Sequence, residues 1–211
     1  PRFVFHAETT DRLLAFGSNG RFYTVSAANL PGGRGMGEPL RLMVDLPNEV
    51  EIVDLFIHRP GGRLLVASNA GNGFVVPESD VVAQTRAGKQ VLNVKGNDER
   101  ALLCKPVTGD HVAVVSQNGK FLVFPTSELP EMGRGKGVRL QKYNMARGKQ
   151  GALELDGGLS DVTTFDWSAG LSWEMGGGKT RHEPDMTDWL GKRAGVGKRP
   201  PYGFPRSNKF S

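Results

Sequence analysis

Glycine occupies every second position of Gly133-Arg134-Gly135-Lys136-Gly137, and a cation fills each gap. Without a Cβ, the backbone there can turn sharply and approach a ligand closely. Arg134, Lys136, Arg139, Lys142, Arg147 and Lys149 all fall between Gly133 and Lys149, with no acid among them. Backbone N–H groups and cations presented together suit the phosphates of a polyanion. Looser versions of the loop stand at Gly32-Gly33-Arg34-Gly35-Met36-Gly37, at Arg86-Ala87-Gly88-Lys89 and at Asp188-Trp189-Leu190-Gly191-Lys192-Arg193. They add Arg34, Arg86, Lys89, Lys192 and Arg193 to the candidate phosphate contacts.

Other chemistries lack their residues. Gly176-Gly177-Gly178-Lys179-Thr180 resembles the end of a nucleotide-binding loop, but that motif needs a glycine where Trp173 stands, so a strand turn is expected. The four histidines (6, 58, 111, 182) are scattered, and one cysteine, Cys104, sits in the apolar run Ala101-Leu102-Leu103-Cys104. No metal-ligand spacing results, and no Gly-x-Ser-x-Gly elbow occurs. No catalytic residue, metal or cofactor is expected within the chain. Cys104 reads as a small core residue. Without a second cysteine there is no intrachain disulfide, and a reducing, cytoplasmic setting fits best. No apolar run approaches the ~18 residues of a membrane span. The chain opens on Pro1 and a strand-like Phe3-Val4-Phe5, which reads as a fragment of a longer protein.

The loops must be positioned by something, and the chain supplies a repeat. Three segments carry an apolar run, an Asn/Gly turn and a second apolar run: Arg12–Val25, Arg63–Val76 and His111–Phe124. Asn-Gly between β-rich runs is a strong hairpin signal, because the tight turn needs φ > 0. After each hairpin come a polar link, a glycine-and-cation loop and a strand that closes the unit: Leu40–Val44, Gln90–Val94 and Val138–Tyr143. A fourth strand, at Ile52–Ile57, Arg100–Cys104 or Asp161–Phe165, leads onward. Gly170–Lys179 begins a more divergent fourth unit, and Ala194–Ser211 reads as an irregular end strap. The turn glycines Gly20, Gly73 and Gly119 are 53 and 46 residues apart. Four strands in roughly 40–50 residues is the period of a propeller-type blade.

The expected fold is all-β and propeller-like, with about four four-stranded blades, or five if Pro1–Thr10 belongs to a truncated one. It forms a single domain over 1–211, with repeats near 11–58, 61–107, 110–166 and 168–211. A ring of blades brings equivalent loops onto one perimeter, so scattered cations become a rim. The formal charge of +5 and pI ≈ 9.5 favour an anionic partner, with nucleic acid the default. Such a rim matches a duplex backbone curved around it, read without sequence preference. A propeller acting as a protein-interaction scaffold is the rival reading.

These repeats resemble the C-terminal β-pinwheel domain of the type IIA bacterial topoisomerase A subunits, from about residue 10 to 211. In Glu131-Met132-Gly133-Arg134-Gly135-Lys136-Gly137, only Gly135, Lys136 and Gly137 agree with the full gyrase box. That degenerate box and the ending Gly203-Phe204-Pro205-Arg206-Ser207-Asn208-Lys209-Phe210 resemble the topoisomerase IV branch, in versions from alphaproteobacteria, rather than gyrase. The resemblance implies a non-catalytic domain that binds and bends the transported duplex. The holoenzyme would decatenate chromosomes and relax supercoils in the bacterial nucleoid. It also implies that ATP and Mg act elsewhere in that holoenzyme, with the topoisomerase IV B subunit as partner. Gyrase-type wrapping is the alternative within the family. The family's cleavage tyrosine follows arginine, whereas Tyr23, Tyr143 and Tyr202 follow Phe, Lys and Pro.

Overall fold

The computed structural model describes residues 2–32, 37–95, 98–147 and 153–211; over 144–147 and 153–156 it describes the backbone alone. The first unit contains β1 (Arg12–Gly17), β2 (Arg21–Ser26), a short helix α1 (Leu40–Met43) and β3 (Ile52–Ile57). The second contains β4 (Arg63–Ser68), β5 (Asn72–Pro77), β6 (Lys89–Gln90) and β7 (Ala101–Pro106). The third contains β8 (His111–Ser116), β9 (Phe121–Pro125), β10 (Val138–Arg139), β11 (Asn144–Arg147), β12 (Leu153–Asp156) and β13 (Leu159–Phe165). The last contains β14 (Leu171–Glu174) and β15 (Thr180–Glu183).

The fold is the expected all-β one, a set of small antiparallel sheets. Each of the first three hairpins turns at a glycine with positive φ: Gly20 (76°), Gly71 (78°) and Gly119 (71°). The turn glycine of the second unit is therefore Gly71 and not Gly73. Gly73 lies in β5 opposite Ala67, and the turn spacings even out to 51 and 48 residues. The polar links are single 3-10 turns at Ala27–Asn29, Glu78–Val81 and Thr126–Glu128. The Gly176–Gly178 stretch is the tip joining β14 to β15, with positive φ at all three glycines.

Strand pairing corrects the expected closure of each unit. Among the described residues, the two four-stranded sheets have the orders β3-β1-β2-β6 and β10-β5-β4-β7, whereas the others hold three strands (β13-β8-β9) or two (β11-β12 and β14-β15), short of the expected four. Thus β6, from the second unit, pairs with β2 of the first, and β10, from the third, pairs with β5 of the second. The same step recurs once more, where Lys198 forms an antiparallel bridge with Phe121 of β9. The strands following the loops dock backwards onto the preceding unit. Only two residues of each, β6 and β10, are regular strand, which is why Gln90–Val94 and Val138–Tyr143 are overlong as strands. Leu40–Val44 joins no sheet among the described residues and coils into α1. Its apolar residues serve elsewhere, since Leu40, Met43 and Val44 pack on Leu13, Ala15, Tyr23 and Val25. The helix covers the face of the first sheet that a neighbouring blade covers elsewhere.

The cores lie between blades. Leu14, Phe16 and Phe22 meet Leu64, Val66 and Phe74 across one interface. Leu65 and Val75 meet Val112, Val114 and Phe124 across the next. Ala113, Phe121 and Val123 meet Leu171, Trp173 and Phe210 across a third. A strand buried on both faces reads as a continuous apolar run, as these do. Cys104 is buried in the core between the first two blades, and burial pushes its thiol up.

Candidate nucleic-acid interface

The backward docking fixes the loops. Just before each docked strand stands a glycine with positive φ: Gly88 (73°), Gly137 (77°) and Gly197 (85°). A Cβ there would come within 2.7 Å of Phe22 O, 2.3 Å of Gly73 O and 2.5 Å of Phe121 O. Glycine is required twice, by conformation and by close approach of two backbones. By sequence alone the last corner extends no further than Arg193. The structure extends it through Gly197 to Lys198, so what reads as an irregular strap begins as a docked corner.

Consecutive corners are hydrogen-bonded to one another in series. Asp45 N donates to Arg86 O (2.9 Å), tying the first unit to the second. Gly135 N donates to Val91 O (2.9 Å), and Asn93 N donates to Gly135 O (2.8 Å). Ala194 N donates to Leu140 O and Lys142 N to Gly195 O, both at 2.9 Å. The second, third and fourth corners therefore form one backbone-bonded band, which Asp45 ties to the first unit.

The cations on this band divide by what they touch. Lys89, Arg139, Lys142 and Lys192 are exposed, and no hydrogen bond or ion pair of their side chains occurs among the described residues. Arg134 is exposed with Nε 3.5 Å from Asn93 Oδ1. Lys136 is exposed with Nζ 3.8 Å from Glu99 Oε2. Burial resists ionisation of Glu99, but hydrogen bonds from Ser68 Oγ and Lys95 N, with Lys136 and Asn72 beside it, hold its carboxyl below the usual range.

Two predicted contacts also have structural work. Arg86 donates to Leu42 O (2.8 Å) and pairs with Asp45 (3.4 Å), pinning α1 to the second corner. Arg193 donates from Nε to Glu128 O (3.0 Å) and from Nη1 to Arg139 O (2.7 Å), clamping the last corner onto the third. Arg34 and Lys149 lie outside the described residues, and for Arg147 only its backbone, in β11, is described.

In the sequence Lys198 and Arg199 read as part of the end strap, although both are exposed and Lys198 occupies the place of Lys89. The signal was present: Gly197-Lys198-Arg199 repeats the spacing of Gly88-Lys89-Gln90 and Gly137-Val138-Arg139. Arg21 was also missed. It donates to Ala87 O and Gly88 O, both at 3.0 Å, and supports the second corner from beneath.

Comparison with known proteins decides the family. The model of the DNA gyrase C-terminal domain, beta-propeller, matches residues 11–59, 62–103 and 110–158. The chain belongs to this family. The three matched segments follow the three hairpin units described above. Among curated proteins, the chain is 45% identical over 208 residues to the DNA topoisomerase 4 A subunit of Caulobacter vibrioides, covering 99% of the chain and 26% of that protein. It is 42% identical over 210 residues to its counterpart in Rickettsia bellii, covering 100% of the chain and 27% of that protein. The chain thus spans about a quarter of the length of these relatives. Among solved structures, the E. coli ParC C-terminal domain superposes with a TM-score of 0.76 at 25% identity, over 95% of this chain and 80% of that one. A DNA gyrase A C-terminal domain shares the fold, with a TM-score of 0.62 at 18% identity over 91% and 60%. Among the described residues, no helix of this gyrase-type propeller is long and apolar enough to cross a membrane.

Proposed function

We propose that this chain is the non-catalytic, duplex-DNA-binding and DNA-bending domain of a topoisomerase IV A subunit. In that role it guides the transported segment while the holoenzyme, completed by its B subunit, decatenates chromosomes and relaxes supercoils in the nucleoid. ATP and Mg are bound elsewhere in that holoenzyme. The observation that carries the reading is the hydrogen-bonded band of corners. What supports it is that Lys89, Arg134, Lys136, Arg139, Lys142 and Lys192 stand on consecutive bonded corners, exposed and with few partners. Phosphates are then met by a rigid series of cations and not by independent loops. Such contacts position a backbone without reading bases, so affinity should be independent of sequence and should depend strongly on salt.

The test is duplex binding measured across a salt series. Arg134→Glu with Lys136→Glu should weaken binding for every duplex sequence alike and lower the slope of log K against log[salt] by about two. Unchanged duplex affinity in the double variant would remove the rim from the account. A flat salt dependence of the unaltered domain would favour the protein-scaffold reading.

A further inference from the structure

One exposed aromatic lies beyond the rim corners. Phe204 N donates to Pro201 O (3.1 Å), and Gly203 has φ 78°, so Tyr202 and Gly203 are the central residues of a tight turn. Glycine at the third position is what such a turn needs. The turn is anchored on both sides. Pro201 is buried. Phe204 packs against Phe121, Trp173 and Phe210, with ring centroids 5.3, 5.5 and 5.3 Å away. Upstream, Trp189 Nε1 donates to Arg199 O (2.8 Å).

Tyr202 itself is 86% exposed, more than any other large apolar or aromatic side chain among the described residues. The guanidinium of Arg181, from β15, lies over its ring at 5.4 Å from the centroid. Gly203 leaves room for that arginine, since a Cβ there would sit 3.1 Å from Arg181 Nη1. Lys198, Arg199 and Arg206 are exposed on the same strap, which has no acid from Ala194 to Ser211. The outward part of the Tyr202 ring touches little of the fold, while the turn that carries it is anchored on both sides and Arg181 lies over the ring.

We propose that the Tyr202 turn is a contact for single-stranded DNA. An unpaired base stacks on the outward face of Tyr202, with the Arg181 guanidinium beside it, while Lys198, Arg199 and Arg206 neutralise the flanking phosphates. Stacking on an aromatic needs an accessible base face and tolerates any base. In a duplex those faces are covered by neighbouring pairs, so the turn separates unpaired from paired DNA where the rim does not. This goes beyond the duplex reading of the rim and fails or stands apart from it.

The experiment is fluorescence anisotropy with a short labelled oligothymidine and with a blunt duplex. Tyr202→Ala should weaken oligothymidine binding roughly 5- to 100-fold and leave duplex affinity unchanged. Tyr202→Phe should bind oligothymidine as the unaltered protein does, and the thermal midpoint of Tyr202→Ala should not move, because the side chain is exposed. Equal oligothymidine affinity in Tyr202→Ala, or oligothymidine binding too weak to measure in the unaltered protein, overturns the proposal. The Arg134→Glu, Lys136→Glu variant run beside them affects the duplex arm first, so the two readings fail separately.

Discussion

Asp54 shows how a single side chain in β3 sets a pH dependence. Burial raises its pKa, against a hydrogen bond from Leu55 N (2.8 Å) and the nearby charges of Lys105 and Arg2. A carboxyl that binds its proton more tightly when folded favours the folded state at low pH and costs stability once ionised. The cost is absent near the unfolded value of about 4 and grows as pH rises through the raised folded value. Asp54→Asn keeps an oxygen to accept from Leu55 and removes the charge. It should raise Tm at pH 7, with the gain shrinking as scans are repeated toward pH 4. Glu99 runs the other way, because its carboxyl is held low. Its contribution is present above the unfolded carboxyl range and is lost as pH falls through the lowered folded value.

At the scale of the element, the corner glycines test how the blades are joined. Gly137 and Gly37 share φ 77°. A Cβ on Gly137 would lie 2.3 Å from Gly73 O, whereas among the described residues nothing lies within 4 Å of one on Gly37. Left-handed strain alone costs about 1–2 kcal/mol for an L-residue. Gly37→Ala should lose about that much in chemical denaturation. Gly137→Ala should lose clearly more, because two backbones must separate, and should also loosen β10 from β5. Equal losses would mean that the corner is not held by close approach. The strands, turns and repeat were legible in the sequence because they rest on local signals: apolar runs with Asn-Gly between them. The docking partners were not legible. A two-residue strand such as Lys89–Gln90 carries no pattern naming β2, which lies some 70 residues earlier. Leu40–Val44 shows the limit from the other side, since an apolar pattern fit for a strand is here a short helix packed on the first sheet. Of the site, the charged loops were readable one by one. Their bonding into a band, and the capture of Arg86 and Arg193 by neighbouring carbonyls, depended on those invisible pairings.

For the whole molecule, stability is shared between neighbours and not held within units. Phe121 of β9 is fully buried and meets Trp189, Phe204 and Phe210, all from beyond the fourth hairpin. Leu190 and Lys198 bridge to Val123 and Phe121 of the same strand. A chain ending at Pro184 keeps every residue of the third sheet but loses the cover of its outer edge. Limited proteolysis should therefore cut the third unit early in that truncated chain, while Tm falls and the transition broadens. Cleavage confined to β14–β15 would argue against shared stability.

Backward docking has a further consequence for synthesis on the ribosome. The sheet of one unit cannot be completed until the corner of the next has emerged. The outer edge of β2 waits for Lys89, and that of β5 waits for Val138. During each interval the nascent chain presents an unpaired strand edge, the feature through which chains associate wrongly. Folding of this domain must trail translation by about one repeat, and a ribosome that stalls within one unit leaves the unit before it unfinished.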